Sequence, residues 1–327
     1  MRVLVCGGAG YIGSNMTAML RREGHEPVVF DNLSKGHRGA VKNVQFVLGD
    51  FGDFDFTFET LQKYQIEAVM HFAAFIEVGE SVQQPLQYYE NNVSKTRTLL
   101  AAMEKAEINK FVFSSTAAVY GMPDTIPITE DVTKAPINPY GETKWAVERM
   151  CHFLSQTGRM NYAALRYFNA CGAGQGGTLG EDHRPESHLI PLIIQAAMGK
   201  RDSIKIFGTD YPTEDGTCVR DYIHIEDLCK AHLLALKKLD SESELVYNLG
   251  NGTGYSVRQV IDTVRKVSGK DFNVEETDRR PGDPPVLTAD AAKARNELGW
   301  STHFPELETI IESAWEFHNT HPNGYED

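Results

Sequence analysis

Tyr140 and Lys144 stand four residues apart, directly after Pro139 and ahead of an apolar-periodic run through Trp145, Val147, Met150, Phe153 and Leu154. That spacing predicts a helix carrying the phenol and the ammonium on one face, one turn apart. A buried ammonium beside a phenol stabilises the phenolate, so the expectation is a Tyr140 pulled below its ordinary value of about 10. A tyrosine so tuned takes a proton from an alcohol near neutral pH and gives it back. Tyr-x-x-x-Lys alone is a common pattern, and an amphipathic helix with an exposed tyrosine reads the same way. The first thirty residues decide between the two.

Arg2–Cys6 is a short apolar run, followed by Gly7-Gly8-Ala9-Gly10-Tyr11-Ile12-Gly13, a helical pattern to Arg22, a second apolar run (27–30) and Asp31. Strand, glycine turn, helix, strand and acid in this order form a nucleotide-binding βαβ unit. The glycines (Gly7, Gly10, Gly13) let the backbone close on a pyrophosphate seated at the helix N-terminus. Asp31 offers acceptors to both ribose hydroxyls and repels a 2′-phosphate, which favours NAD over NADP. The α/β alternation continues: a strand at 45–48 ends near Asp50, placed to reach an adenine amino group. Next come a buried strand at 68–74, a helix at 85–104 and a strand at 111–113 that runs into Ser114, Ser115 and Thr116. In parallel sheets ligands bind at the carboxyl ends of strands, where Thr116 and Tyr140 both fall. His71, inside its strand, reads as a hydrogen-bonded core residue.

The second half changes character. A last central strand at 165–169 precedes a glycine-rich loop (172–180), where the lobe boundary is drawn: 1–172 for the dinucleotide, 173–327 for the substrate. Helices are expected at 189–198, 227–237 and 306–318, a strand at 246–250, and a basic loop at Arg279-Arg280. The fold class is therefore α/β, a Rossmann-type doubly wound parallel sheet with a smaller C-terminal α/β lobe. The 327 residues, 41% of them hydrophobic, suffice for a large core. A net charge of −13 without a basic stripe speaks against nucleic acid. Five scattered cysteines with no Cys-x-x-Cys read as buried thiols in a reducing compartment, with no metal framework expected. No run of about 20 apolar residues is present to span a bilayer and no signal-peptide pattern opens the chain, so a cytoplasmic location is expected.

The chain resembles the extended short-chain dehydrogenase/reductase superfamily and, within it, the UDP-glucose 4-epimerases, over essentially its whole length. The carriers are GGAGYIGSN (7–15), DNLSKGHR (31–38), HFAA (71–74), VGESVQQPLQYYENNV (78–93), FSSTAAVYG (113–121) and PYGETKWAVE (139–148). In the second lobe they are RYFNACGA (166–173), IFGTDYPTEDGTCVRDYIHIEDL (206–228), YNLGNGTGYSV (247–257), RRPGDPP (279–285) and HPNGYED (321–327). The resemblance implies tightly bound NAD⁺ that takes a hydride from C4 of a UDP-hexose while Tyr140 removes the O4 proton. The 4-keto sugar then turns over and both return to the other face. It assigns Thr116 a hydrogen bond to O4, and Lys144 the nicotinamide ribose and the tuning of Tyr140.

For the cofactor it further implies Gly7, Gly10, Tyr11, Ile12, Gly13, Asp31, Asn32, Asp50, Phe51, Phe72, Ala73, Ala74, Asn91, Ser114, Tyr167 and Phe168. For the UDP-sugar it implies Thr116, Tyr140, Asn169, His188, Leu189, Lys205, Phe207, Arg220, Tyr222, Arg280, Asp283 and Leu287. Arg220 and Arg280 suit a pyrophosphate clamp, because a planar guanidinium pairs bidentately with phosphate oxygens. Three positions depart from the family pattern. Thr116 replaces a commoner serine and keeps the hydroxyl, Ile76 stands where many members carry a lysine near the cofactor phosphates, and His188 replaces a frequent asparagine. Leu287 lies where a bulky tyrosine excludes N-acetyl sugars in some members, so UDP-GlcNAc and UDP-GalNAc enter as additional substrates to test. The resemblance also implies a homodimer through the helices near 86–104 and 141–156. A 4,6-dehydratase would carry Asp-Glu after Thr116, where this chain has Ala117-Ala118, and a UDP-glucuronate epimerase would need extra positive charge for its carboxylate. A non-catalytic NAD-binding scaffold usually loses the tyrosine or the lysine, and both are kept here.

Overall fold

A computed structural model describes residues 1–174, 176–280 and 282–326. Pro281 and Asp327, in two of the family motifs, and Gln175, in the glycine-rich loop, lie outside the described residues. The strands in chain order are β1 (Arg2–Cys6), β2 (Glu26–Asp31), β3 (Gln45–Leu48), β4 (Ala68–His71), β5 (Lys110–Thr116), β6 (Asn161–Tyr167), β7 (Asn169–Cys171), β8 (Ser203–Phe207), β9 (Val219–His224), β10 (Glu244–Leu249), β11 (Gly254–Ser256), β12 (Asn273–Thr277) and β13 (Val286–Leu287). Seven of them form one sheet in the order β3-β2-β1-β4-β5-β6-β10, with every pairing parallel. The order reverses beside β1, which opens the crevice where such sheets bind ligands.

The central strands read as unbroken apolar runs because both faces are covered. Alternate residues go to opposite sides: Val3 and Val5 join one core with Met16, Leu20 and Leu228, while Leu4 and Cys6 join the other with Leu61, Leu99 and Val147. Helices Tyr11–Arg22 and Ile225–Lys238 therefore cover one face, and Phe54–Lys63, Lys95–Lys105 and Pro139–Gln156 the other. In the second half β7, β9, β11 and β13 form a small mixed sheet, β8 and β12 a parallel pair, and a third core holds Ile193, Ile194, Ile261 and Ile310. Strand β10 returns to the main sheet beside β6, with Glu244 opposite Tyr162. No described helix is long and apolar enough to cross a membrane.

The helix expected at 85–104 needs one correction. It starts at Pro85 and runs to Lys105, but Pro85–Tyr88 and Lys95–Lys105 are joined by a π-helical turn at Tyr89–Ser94, and a separate short helix, Val78–Gln83, precedes it. Gln84 leaves helical geometry ahead of Pro85 (φ −129°, ψ 56°), as the clash between proline and its predecessor demands. The π-turn inserts one residue into the helical ladder and so turns both Asn91 and Asn92 inward, each buried. The apolar periodicity from Leu86 to Met103 masks that insertion.

Candidate active site

Strand β1 delivers the chain to Gly7, whose φ of +77° suits glycine, and a Cβ there would stand 2.6 Å from the Ala73 amide nitrogen. A Cβ on Gly13 would stand 2.1 Å from the Gly7 carbonyl oxygen. These two positions hold the turn, helix Tyr11–Arg22 and the end of β4 in contact. Gly10 is the helix N-cap and contributes no side-chain cap. The first-turn amides of Tyr11, Ile12 and Gly13 thus have no carbonyl behind them, and all three residues line the main cavity. At the end of β2, Asp31 accepts from the Ala9 amide (2.9 Å) and the Leu33 amide (2.8 Å), one on each carboxylate oxygen. Each oxygen keeps a further acceptor direction. Burial pushes this carboxyl up, and the two amides pull it back. A row of unpaired amides beside a fixed carboxylate fits the phosphates and ribose of a dinucleotide.

The proton-handling groups come from the next layer. Helix Pro139–Gln156 starts with Pro139 at its first position, and its N-cap Asn138 accepts from the Gly141 amide at 2.9 Å. Gly141 lets this helix close on the turn after β5, since a Cβ there would meet the Ala118 carbonyl oxygen at 2.6 Å. That approach brings Tyr140 to Thr116, the last residue of β5, whose hydroxyl accepts from the Ala118 amide at 3.1 Å. One turn on, Lys144 is 3% exposed and donates to the Ser114 carbonyl at 2.7 Å. Its nitrogen lies 6.0 Å from the Tyr140 ring centroid, so the two do share a face.

The acidity of Tyr140 departs from expectation. Burial pushes the phenol up to about 12, with the Thr116 hydroxyl drawing it down and Glu77 pushing it further up. The lysine is shifted as well: burial takes Lys144 down to about 7, opposed by Glu148. The ammonium is also committed to Ser114. Beneath both runs a buried network. Glu148, one turn after Lys144, accepts from Arg166 at 3.0 and 3.2 Å and from the Ser115 hydroxyl, while Arg166 donates to the Tyr120 hydroxyl at 2.8 Å. Removing one member of such a pair strands a buried charge, so the network pins β5, β6 and the helix together.

A cavity of about 390 Å³ joins these parts. Of the expected cofactor residues, Gly7, Gly10, Tyr11, Ile12, Gly13, Asp31, Asn32, Phe51, Phe72, Ala73, Ala74, Asn91, Ser114, Tyr140, Lys144, Tyr167 and Phe168 line it. Asp50 does not: Lys95 (2.6 Å), the Gly52 amide (2.8 Å) and Asn32 (3.2 Å) hold its carboxylate. Burial raises that carboxyl, but these partners bring it below its ordinary value. Ile76 lines the cavity, and so does the exposed Lys35, a cation the reading of the motifs left without a role.

Of the expected sugar residues, Thr116, Tyr140, Asn169 and His188 line the cavity. Leu189, Lys205, Phe207, Arg220, Tyr222, Arg280, Asp283 and Leu287 do not, yet most form one connected shelf beside it. Asn169 pairs with Tyr222 across β7–β9 and donates to the Asp221 carbonyl at 2.8 Å. Arg220 pairs with Leu287 across β9–β13 and reaches Asp283 at 3.5 Å; Asp283 meets Arg280 at 3.3 Å. The Arg280 guanidinium sits 4.4 Å over the Phe207 ring. Leu189 packs into the third core, and Lys205 is exposed on β8.

Sequence reasoning passed over Glu181, His183 and Glu186, which surround His188. Glu181, His183 and His188 line the cavity, and the ligand atoms of all four side chains lie within 4.8 Å of one another. Their signal was the alternation Glu-x-His-x-x-Glu-x-His at 181–188. His183 is held up at about 9 against its burial by Glu181 and Glu186, and His188 is raised well above its ordinary value by the same carboxylates.

Residues 3–250 match the model of the NAD dependent epimerase/dehydratase family. A UDP-glucose 4-epimerase of Halalkalibacterium halodurans is 50% identical, with 99% of this chain and 98% of that one covered. The chain belongs to this family. A crystal structure of a UDP-glucose 4-epimerase superposes with a TM-score of 0.97 at 49% identity, covering all of both chains. Another, from Brucella ovis in complex with NAD, gives a TM-score of 0.94 at 46% identity over 97% of this chain and 98% of that one. NAD is thus the cofactor of the family, and the parallel sheet is its fold.

Proposed function

We propose that this chain interconverts UDP-glucose and UDP-galactose through a 4-keto sugar, with NAD retained throughout. The observation that carries this reading is the convergence of Thr116, Tyr140 and Lys144 on the cavity that also holds the glycine turn and Asp31. Names of full-length relatives near 50% identity support the substrate pair. NAD⁺, when bound, supplies hydride exchange at C4 and a positive charge that favours a phenolate nearby. Tyr140 takes the O4 proton and returns it, and Thr116 holds O4 in reach. Lys144 binds the nicotinamide ribose while anchored on Ser114. Glu148 and Arg166 keep both helix and strand in place. The Arg220–Asp283–Arg280 shelf receives the diphosphate, Asn169 and His188 orient the sugar end, and Phe207 and Tyr222 bound the uridine side.

The test is incubation with UDP-galactose and with UDP-glucose, without added NAD, and separation of the products. Both mixtures are expected to reach one ratio of the two sugars; no conversion from either side overturns the proposal. The lobes divide near residue 172, with β10 lent back to the first. A cytoplasmic location accords with five buried free cysteines. A homodimer accords with exposed apolar residues on three neighbouring helical segments: Leu86 (82% exposed), Val82 (62%) and Phe153 (58%). Light scattering at micromolar concentration is expected to give twice the chain mass. Leu287, packed on the same small cluster as the cavity residue Phe168, supports acceptance of N-acetyl sugars.

A further inference from the structure

We infer that Glu181, His183, Glu186 and His188 form a binding site for one first-row divalent cation of the zinc class, in the wall of the active-site cavity. Two ring nitrogens and two carboxylates converge here. His183 Nδ1 stands 3.2 Å from Glu181 Oε1 and 3.7 Å from Glu186 Oε2. His188 Nδ1 stands 2.9 Å from Glu181 Oε1 and 3.0 Å from Glu186 Oε1. A tetrahedral ion with bonds of about 2.0–2.1 Å places its ligand atoms about 3.3 Å apart. The His–carboxylate separations of 2.9–3.7 Å bracket that value and no two of the four ligand atoms stand more than 4.8 Å apart, so rotations of these side chains close the site around one ion.

Charge and hydrogen bonding agree with the spacing. Glu181 and Glu186 are buried to within 6% and 5% exposure, and their two negative charges need compensation there. Two imidazoliums or one dication with two neutral imidazoles give the same total, so metal replaces two protons without changing the buried charge. The proton arrangement is imperfect: the buried His183 Nδ1 makes no hydrogen bond of acceptable geometry despite its distance to Glu181. A metal ion has no such angular demand on an N–H and uses the nitrogen lone pair instead. The donor set of two nitrogens and two carboxylate oxygens suits Zn²⁺ or Co²⁺ better than Ca²⁺ or Mg²⁺. His188, at 41% exposure, leaves an entry path.

The surrounding segment is already anchored. Asp182 accepts from Arg184 at 2.9 Å and from the Tyr325 amide at 2.9 Å, and its carbonyl meets His37 Nε2 at 3.1 Å. The ion joins two points of this wall, 181–183 and 186–188, across Arg184 and Pro185. A His188 bound through Nδ1 carries its proton on Nε2, which makes a residue lining the cavity a fixed donor.

The experiment treats the NAD-loaded protein with a chelator, then titrates Co²⁺ as a spectroscopic probe and Zn²⁺ as competitor. One equivalent of Co²⁺ per chain is expected, with the intense visible bands of a four-coordinate ion, displaced by one equivalent of Zn²⁺. His183→Ala and Glu186→Gln are each expected to weaken Co²⁺ binding at least about 100-fold, more than loss of an outer partner does. Far-UV dichroism and retained NAD confirm that each variant is folded. Crystals of the unmodified protein soaked in Zn²⁺ and measured at the zinc edge should show anomalous density between the four side chains. Six-coordinate Co²⁺ spectra, binding that both variants retain, or anomalous density elsewhere would each overturn the assignment.

Discussion

The cavity and the shelf beside it are built in different states of readiness. On the dinucleotide side the backbone itself is the instrument: glycines that admit no Cβ, unpaired helix amides, and an aspartate fixed by two amides at the end of a buried strand. On the shelf proposed for the sugar nucleotide the groups are side chains already satisfied by one another, with Arg220 and Arg280 both leaning on Asp283 and Arg220 also donating to the Val219 and Pro284 carbonyls at 2.9 Å. A backbone cradle tolerates no change and keeps its ligand. A lattice of ion pairs can exchange partners, which suits a shelf that holds a diphosphate while the sugar beyond it turns over.

Four substitutions sharpen that contrast. Gly13→Ala drives a methyl into the Gly7 carbonyl, so purified protein should carry no NAD and show only background turnover, read by absorbance and by product separation. Lys144→Met, which removes the group proposed to hold the nicotinamide ribose, should cost about 10²–10³-fold in turnover, on the order of a misplaced reacting group. It should also stabilise NAD-free protein at neutral pH. The folded pKa of about 7 lies below the ordinary 10.5, so the charge penalty is full below pH 7 and fades as pH rises to 10.5. Denaturant titrations should therefore find the variant more stable by a few kcal/mol at pH 6.5 and nearly equal to the parent above pH 10.5. A gap that is constant across this range contradicts the buried-ammonium assignment.

On the sugar side effects should be graded. Arg280→Ala, which removes one arm of the shelf and leaves Arg220, should raise KM about tenfold with kcat within about twofold, the signature of lost uniform binding. An equal fall in kcat would place Arg280 in the chemistry instead. Leu287→Tyr should leave UDP-galactose turnover near the parental rate and lower that of UDP-GlcNAc selectively. Equal rates for the variant and the parent on UDP-GlcNAc would remove Leu287 from the specificity account.

What was legible in the sequence follows the same division. Strand ends and the glycine turn could be read because backbone geometry restricts residue type: Gly7 must tolerate positive φ, and β1 ends where the apolar run ends. Tyr140 and Lys144 were placed together by helical spacing alone. Their acidities were not, because spacing gives neighbours but not solvent, and burial is the largest cause acting on each. The π-turn at Tyr89–Ser94 leaves no mark on a periodicity of 3.6, since a single inserted residue shifts the apolar stripe by less than its width. The Glu and His cluster was missed for a different reason: its residues are near in sequence, but only the fold of 181–188 brings all four side chains together.

The most direct test of the account is the turnover of Tyr140→Phe beside its bound NAD. The variant keeps the ring and loses the hydroxyl that exchanges a proton with O4. Interconversion of UDP-glucose and UDP-galactose is predicted to fall by about a thousandfold or more, with one NAD per chain retained. Parental turnover in that variant would contradict the assignment of the proton to Tyr140.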